Sequence, residues 1–396
     1  MNNLNFFPDN SEVSNKTILL RLDFNVPMKG KTIQDDTRIV LCLPFIKKLI
    51  ERNAKIIIIS HLGRPKGKKN LDLSLNPVYK YLKKKLGSNV YFFMGNLDKE
   101  IKNKLSYQKA GDVILFENIR FFNEEEQNDE GFSKKLASLC DVYINDAFSC
   151  SHREQASIHK ITKFVKSSFA GPLIKKEINA LNYIVKDRKK PVTCIIGGSK
   201  ISTKINVINR LVKMVDNLVI VGAMANNFLA HKGYDIGSSL IEKNTNEIMV
   251  KIISEAKEND CELFIPEDCK VGLEFSGHGN IKQINEIKSK EIILDIGNKT
   301  IEGICNIIDN SQTVLWNGPA GYFENENFQE GTFSIAKKIS DNTKKNSLIS
   351  VLGGGDTLAA INKINEKLSF THLSTAGGAF LEYLEGKDLP GLSVLK

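Results

Sequence analysis

Apolar positions along this chain come in blocks rather than singly. Short apolar, β-branched runs occupy Thr17–Leu22, Lys55–Ser60, Val90–Phe93, Val113–Phe116 and Val142–Ile144 in the first half. Val192–Ile196, Leu218–Val221, Leu263–Ile265, Ile292–Leu294, Thr313–Leu315, Ser347–Val351 and Phe370–Leu373 follow in the second. Between them apolar residues recur at helical spacing over Arg38–Arg52, Glu125–Cys140, Lys204–Val215, Phe328–Ile339 and Asp356–Lys363. Strands without alternation, separated by helices, predict parallel sheets covered on both faces. Twelve such strands are too many for one sheet. The reading is therefore α/β: two Rossmann-like three-layer domains with parallel sheets, joined by an interdomain helix and hinge. The boundary is placed at Ala170-Gly171-Pro172, dividing 1–170 from 171–386, with the helix Leu173–Val185 as linker. A tail, 387–396, breaks the pattern at Pro390-Gly391 and is expected to return to the first domain.

Open parallel sheets bind ligands past the carboxyl ends of their strands. In the first domain those positions carry Arg21-Leu22-Asp23-Phe24-Asn25, His61-Leu62-Gly63-Arg64, Glu117-Asn118-Ile119-Arg120 and Asn145-Asp146, then Ser151-His152-Arg153. With Arg38 at its helix start, the expected rim is Arg21, Arg38, His61, Arg64, Arg120 and Arg153, a set suited to a small, multiply charged anion. Arg21, inside a strand, is the first candidate for a purely structural role.

The second rim differs. Gly197-Gly198-Ser199-Lys200 opens a predicted helix, with Lys204 four residues on and on the same face, a repulsive pair unless an anion lies between. Asn317-Gly318-Pro319 through Glu324 and Ser374-Thr375-Ala376-Gly377-Gly378 add glycine turns. Gly353-Gly354-Gly355-Asp356-Thr357 is the third, and there Asp356 is either the cap of the next helix or the ligand of a divalent cation bridging to phosphate. Glycine turns plus lysines indicate a polyphosphate site, although GxxxxGK[ST] and GxGxxG are both absent. The missing GxGxxG also argues against a two-domain dehydrogenase.

The charge changes the picture only in kind of partner: 55 basic against 46 acidic residues, a net +9, suits anionic ligands. The lysine runs Lys66–Lys69 and Lys83–Lys85 keep a non-catalytic anion- or nucleic-acid-binding protein as the alternative. They lack interleaved aromatics, so no nucleic-acid partner is expected. No signal-peptide pattern, membrane-length apolar run or zinc-like histidine spacing is found. Seven scattered cysteines without a CxxC pair suit reduced thiols in a cytoplasmic protein.

Taken together and in order, Arg21–Pro27, His61–Pro65, Glu117–Phe121, Asn145–Phe148, Gly197–Lys200, Trp316–Pro319, Gly353–Thr357 and Leu384–Lys387 resemble the phosphoglycerate kinase family over essentially the whole chain. The resemblance implies reversible phosphoryl transfer between MgATP and the carboxylate of 3-phosphoglycerate, in a monomer that closes about a hinge. It implies that Asp23, Phe24 and Asn25, with Leu62 and Gly63 alongside, receive the phosphoglycerate. His61, Arg64, Arg120 and Arg153 would grip its phosphate, and Arg38 would meet the group in flight. Gly198, Lys200, Lys204, Asn317, Gly354, Gly355, Thr357, Gly377 and Gly378 would hold the nucleotide, Glu324 its ribose, and Asp356 the Mg2+. Arg38, Lys200 and Lys204 are the catalytic set. Set against both rims, Asp356 reads better as a metal ligand than as a cap. Departures from the family pattern are Ser149-Cys150 for Gly-Thr, Val221-Gly222-Ala223 for a glycine run near the adenine pocket, and Ala320 and Ala376 for Val and Gly.

Overall fold

The computed structural model describes residues 4–97 and 99–396. It divides into two compact units, 1–177 with 388–396, and 178–387. The division falls inside the helix Pro172–Val185, several residues later than the glycine-proline signal suggests.

In the first unit the strands are β1 (Thr17–Arg21), β2 (Met28–Lys29), β3 (Thr32–Ile33), β4 (Lys55–Ile59), β5 (Val90–Phe93), β6 (Val113–Phe116), β7 (Val142–Asn145) and β8 (Ser168–Ala170). Six form one parallel sheet in the order β5-β6-β4-β1-β7-β8, while β2 and β3 make a small hairpin. Residues Ile56–Ile59 of β4 are all fully buried. Each such side chain contributes about 1.5–3 kcal/mol on leaving water, which is why the apolar runs found the sheet. β8 was not expected from sequence, being three residues long. The tail returns to this unit, where Leu389, Leu392 and Leu395 are buried. There Asn5 donates its amide to the Leu395 carbonyl at 2.7 Å and Gly391 donates to the Ser151 carbonyl at 2.8 Å.

The predicted helix Glu125–Cys140 is instead two, Asn123–Glu126 and Glu130–Ala137. Asn128 turns left-handed at φ +52°, and the Asp129 carboxylate caps the second piece by accepting the Phe132 amide at 2.7 Å. A polar Gln-Asn-Asp run supplies these local bonds in place of a helical turn.

The second unit carries β9 (Val192–Ile196), β10 (Asn217–Ile220), β11 (Glu262–Phe264), β12 (Asp268–Gly272), β13 (Asn280–Gln283), β14 (Ile292–Ile296), β15 (Thr313–Asn317), β16 (Ile349–Gly353) and β17 (His372–Ser374). The parallel sheet runs β11-β10-β9-β15-β16-β17, the dinucleotide-fold order, with its switch point between β9 and β15. Ile292–Leu294 was expected in this sheet. It lies instead in a three-stranded antiparallel sheet, β13-β12-β14. Its partners begin with Asp268 and Asn280, so no apolar run announced them.

Candidate active site

Each unit has a polar rim at its switch point. In the first, Asp23 follows β1 and anchors the group. Its carboxylate accepts from Arg38 Nη1 at 2.8 Å and from the Asn25 amide at 2.9 Å, and the Ser149 hydroxyl also donates to it. Burial pushes Asp23 up, but the Arg38 guanidinium and these hydrogen bonds outweigh it and hold it down at about 2. It is ionised throughout the physiological range. The loop is pinned further by Arg38 Nη1 donating to the Asn25 carbonyl at 2.8 Å and by the Gly63 amide donating to Asn25 Oδ1 at 2.9 Å.

Ser149 occupies a position where a glycine could make no such bond to Asp23. His61 is 3% exposed, and burial, aided by Arg120, Arg21 and Arg38 against the pull of Asp23, holds it well below the usual histidine range. It is neutral. Arg21 Nη2 lies 3.4 Å from its Nδ1; because a guanidinium can only donate, the proton is left on Nε2 as a donor.

The other cations divide by depth. Arg21 is fully buried and donates to the Leu22 carbonyl and, from Nε, to Ser157 Oγ at 3.1 Å; it braces the site from beneath and is not on the rim. Arg120 donates to the Gly63 carbonyl at 2.9 Å, while its buried Nε has no partner among the described residues. Arg64 is exposed, and Arg153 Nε donates to His152 Nε2 at 3.3 Å. No carboxylate pairs with Arg64, Arg120 or Arg153 among the described residues, so their charge remains available to an anion. Phe24 and Leu62 point into the core and can offer substrate only backbone.

In the second unit, the turn after β9 and the turn after β15 touch. A Cβ on Gly197 would stand 2.2 Å from the Pro319 carbonyl oxygen, and one on Gly318 2.2 Å from that of Gly197. Lys204 is not on a helix with Lys200. The helix begins at Ile205, because Ser202 spends its amide and hydroxyl on Glu242 and Thr203 its hydroxyl on the Lys200 carbonyl. Lys204 Nζ instead reaches the Gly197 carbonyl and Asn317 Oδ1, both at 2.6 Å. Burial, opposed by Asp356, lowers its pKa to about 8. Lys200 stays exposed.

Asn317 Nδ2 donates to the Gly353 carbonyl at 2.8 Å, and the Gly318 amide to Thr357 Oγ1 at 2.7 Å, so three turns are stitched into one floor. The helix Gly355–Asn362 is capped by Gly354, at φ +103°, with no side-chain cap bond. That disposes of Asp356 as a cap: the residue is exposed and lines a cavity of this unit together with Gly198 and Glu324. Gly377, at φ +56°, opens the helix Gly378–Leu384, and buried Ala376 fits before it.

The cavity's remaining walls were not legible in the sequence. Leu240, Phe275 and Leu294 come from loops and from β14, and Asn226 from the helix after β10. Applying the strand-end rule to the sequence after Val221 would have found Asn226.

Lys204 yields a pH prediction. A lysine whose folded pKa is about 8 against 10.5 unfolded binds fewer protons in the native state between those values. Stability of the ligand-free protein should therefore rise with pH across that window. A phosphate beside Nζ would restore the proton. Nucleotide binding at about pH 9 should be accompanied by proton uptake, read by calorimetry in buffers of different ionisation enthalpy, and Lys204→Met should abolish it.

Comparison with known proteins agrees with this geometry. A family model described as phosphoglycerate kinase matches residues 9–387. The phosphoglycerate kinase of Wolbachia pipientis wMel is 45% identical over 390 residues, covering 98% of each chain. That of Dictyoglomus turgidum is 44% identical over 387 residues, covering 97% of this chain and 96% of its own. Among solved structures, phosphoglycerate kinase from Coxiella burnetii superposes with a TM-score of 0.88 at 40% identity, covering 98% of this chain and 97% of that one. The enzyme from Pyrococcus horikoshii OT3 gives 0.84 at 29% identity, with 98% of both chains covered. A carboxylate-anchored arginine rim, a glycine floor with a half-buried lysine, and relatives matching end to end lead to one conclusion: the chain belongs to the phosphoglycerate kinase family and is a phosphotransferase of glycolysis.

Proposed function

We propose that the reaction is reversible transfer of the γ-phosphoryl group of MgATP to the carboxylate of 3-phosphoglycerate, with the arginine rim as acceptor site and the glycine floor as donor site. The observation that carries this reading is the pairing pattern. Among the described residues Arg64, Arg120 and Arg153 lack carboxylate partners, whereas Arg38 is held by Asp23 at 2.8 Å. Three cations are left for a phosphate and one is fixed in place for the reacting end. His61, neutral with its proton on Nε2, adds a donor. Asp23 and Asn25 are placed to receive the hydroxyl and carboxylate end.

In the donor site Lys200 and Lys204 supply charge to the phosphates, Asn317 orients Lys204, and the Gly354, Gly355, Gly377 and Gly378 backbones allow close approach. Glu324, on the cavity wall, suits a ribose hydroxyl. Asp356 fits a magnesium ion: it is one exposed, uncommitted carboxylate beside the phosphate floor, and this ion is commonly held by one or two carboxylates plus phosphates and waters. Bound there, the ion would neutralise phosphate charge. The acceptor carboxylate is already ionised, so no general base is needed. Transfer then rests on positioning and cationic stabilisation of the equatorial oxygens. The chemistry also requires hinge closure on the bound substrates, since ATP and an acyl phosphate both hydrolyse in water.

A cytoplasmic setting is the reading that suits seven free cysteines, and a monomeric state is carried over from the family resemblance. Among the described residues no helix is long and apolar enough to cross a membrane. The comparisons lend nothing to a non-catalytic nucleic-acid-binding protein. The deciding assay couples ADP formation to 3-phosphoglycerate and ATP. Turnover should require both substrates and disappear on chelating Mg2+; activity indifferent to chelation would overturn the metal role of Asp356.

A further inference from the structure

The turn after β6 holds a buried amide that the reaction as described does not use. Asn118 is fully buried, and its side chain reaches three separate stretches of the first unit. Nδ2 donates to the Leu62 carbonyl at 2.7 Å and to the Leu73 carbonyl at 2.9 Å, while Oδ1 accepts the Arg120 amide at 3.1 Å. Carbonyls can only accept, so the orientation of this side chain is fixed by its partners.

These bonds close a circuit through the phosphate grip. Leu62 lies between His61 and Gly63, and the Gly63 carbonyl accepts Arg120 Nη1 at 2.9 Å. Arg120 is thus held at both ends, by its amide on Asn118 and by its guanidinium on the loop that Asn118 holds. Leu73 fixes that loop from its far end. A Cβ on Gly63 would stand 2.7 Å from Leu73 Cδ2, so the base of the loop carrying Arg64 is pinched shut. The neighbouring Glu117 carboxylate extends the anchor, accepting the Ser74 hydroxyl at 2.6 Å and the Leu75 amide at 2.8 Å. The Gly67 amide donates to the Arg120 carbonyl at 3.2 Å.

Local structure asks for less. As the cap of the short turn Ile119–Phe121, a serine or an aspartate would serve as well as an asparagine. Neither could give two N–H groups to Leu62 and Leu73. The amide is required by the loop, not by the turn.

We propose that Asn118 is a positioning residue of the acceptor site, which holds Arg64 and Arg120 in register before 3-phosphoglycerate arrives. Being fully buried, it acts only through those groups. This rests on the functional reading above and assigns what preorganises the same site.

Steady-state kinetics of Asn118→Ser, which keeps the cap and loses both donors, tests it. KM for 3-phosphoglycerate should rise about 10- to 100-fold, the scale of a misplacement of about 1 Å, while KM for ATP stays unchanged. In an Arg120→Ala background the same substitution should raise KM by a factor at least about threefold smaller, because one of the groups it positions is already gone. An unchanged KM with only a lower melting temperature would mark a merely structural amide and overturn the proposal. An undiminished effect in the Arg120→Ala background would do the same. Hydrogen exchange on the unaltered protein needs no variant to fold: the Arg120 and Gly67 amides should be protected before ligand is added. Free exchange there until 3-phosphoglycerate binds would overturn the preorganisation. Absence of 3-phosphoglycerate binding and turnover in the unaltered protein would overturn the functional reading as well, and is told apart because it involves no substitution.

Discussion

Arg38→Ala should reduce turnover of ATP and 3-phosphoglycerate by about 10²- to 10³-fold, the cost of removing one preorganised donor from a developing anion. Binding of 3-phosphoglycerate should change only a few-fold, because Arg64, Arg120 and Arg153 remain. The argument is geometric. Arg38 Nη1 lies 2.8 Å from both Asp23 Oδ2 and the Asn25 carbonyl, so the guanidinium is held before substrate arrives and little side-chain entropy is lost at the moment of reaction. The variant also strips Asp23 of its strongest cationic neighbour, and its pKa should rise from about 2. The stability that the ionised carboxylate contributes is present above its unfolded value and lost as pH falls through the folded one, so that acid limb should move to higher pH. Arg38→Lys restores the charge without the fork, and should recover the acid limb better than the rate. Turnover within about threefold of the unaltered protein, with the fold intact by circular dichroism, would remove Arg38 from the proposed mechanism.

Gly197→Ala should destabilise the second unit by about 3 kcal/mol or more, seen as a lower denaturant midpoint, and should abolish measurable ADP binding. The added methyl would meet the Pro319 and Gly318 carbonyl oxygens at 2.2 and 2.6 Å. Both are backbone, so neither can swing aside; the turn after β9 must separate from the turn after β15. That separation also releases Lys204, whose Nζ bonds to Gly197 and Asn317 bridge the same two turns. Gly355→Ala is the contrast. A Cβ there has nothing within 4 Å and the position is helical, so stability should be unchanged or slightly higher. Equal destabilisation by the two substitutions would refute the crowding argument.

Much of the site was readable because catalytic groups in a parallel α/β unit sit where strands end, and those ends are visible as the close of an apolar run. Asp23, His61, Arg120, Asn317 and Asp356, all members of the proposed site, lie at or just past such ends, and Lys204 follows the turn after β9. What could not be read was how each side chain is partnered. The expected six-residue rim loses Arg21 to the interior, and His61, whose protonation the sequence left open, is neutral, because burial depth and neighbouring guanidiniums are properties of packing. Lys200 and Lys204 were placed on one helical face, yet local side-chain bonds from Ser202 and Thr203 delay the helix to Ile205. The antiparallel sheet β13-β12-β14 supplies part of the cavity wall and left no apolar signature.

The amino-acid sequence by itself determined that this protein is a two-part, parallel α/β chain with a cationic rim in one half and a glycine floor in the other. Burial of uninterrupted apolar strands and the backbone freedom of glycine are local properties, and local properties survive in one dimension. Only the tertiary structure decided which charges are spent and which are free. Asp356 is freed from capping by Gly354, and Arg38 is committed to Asp23. Hydrogen bonding and desolvation depend on which atoms meet across distant segments, and that is settled when the strands pair.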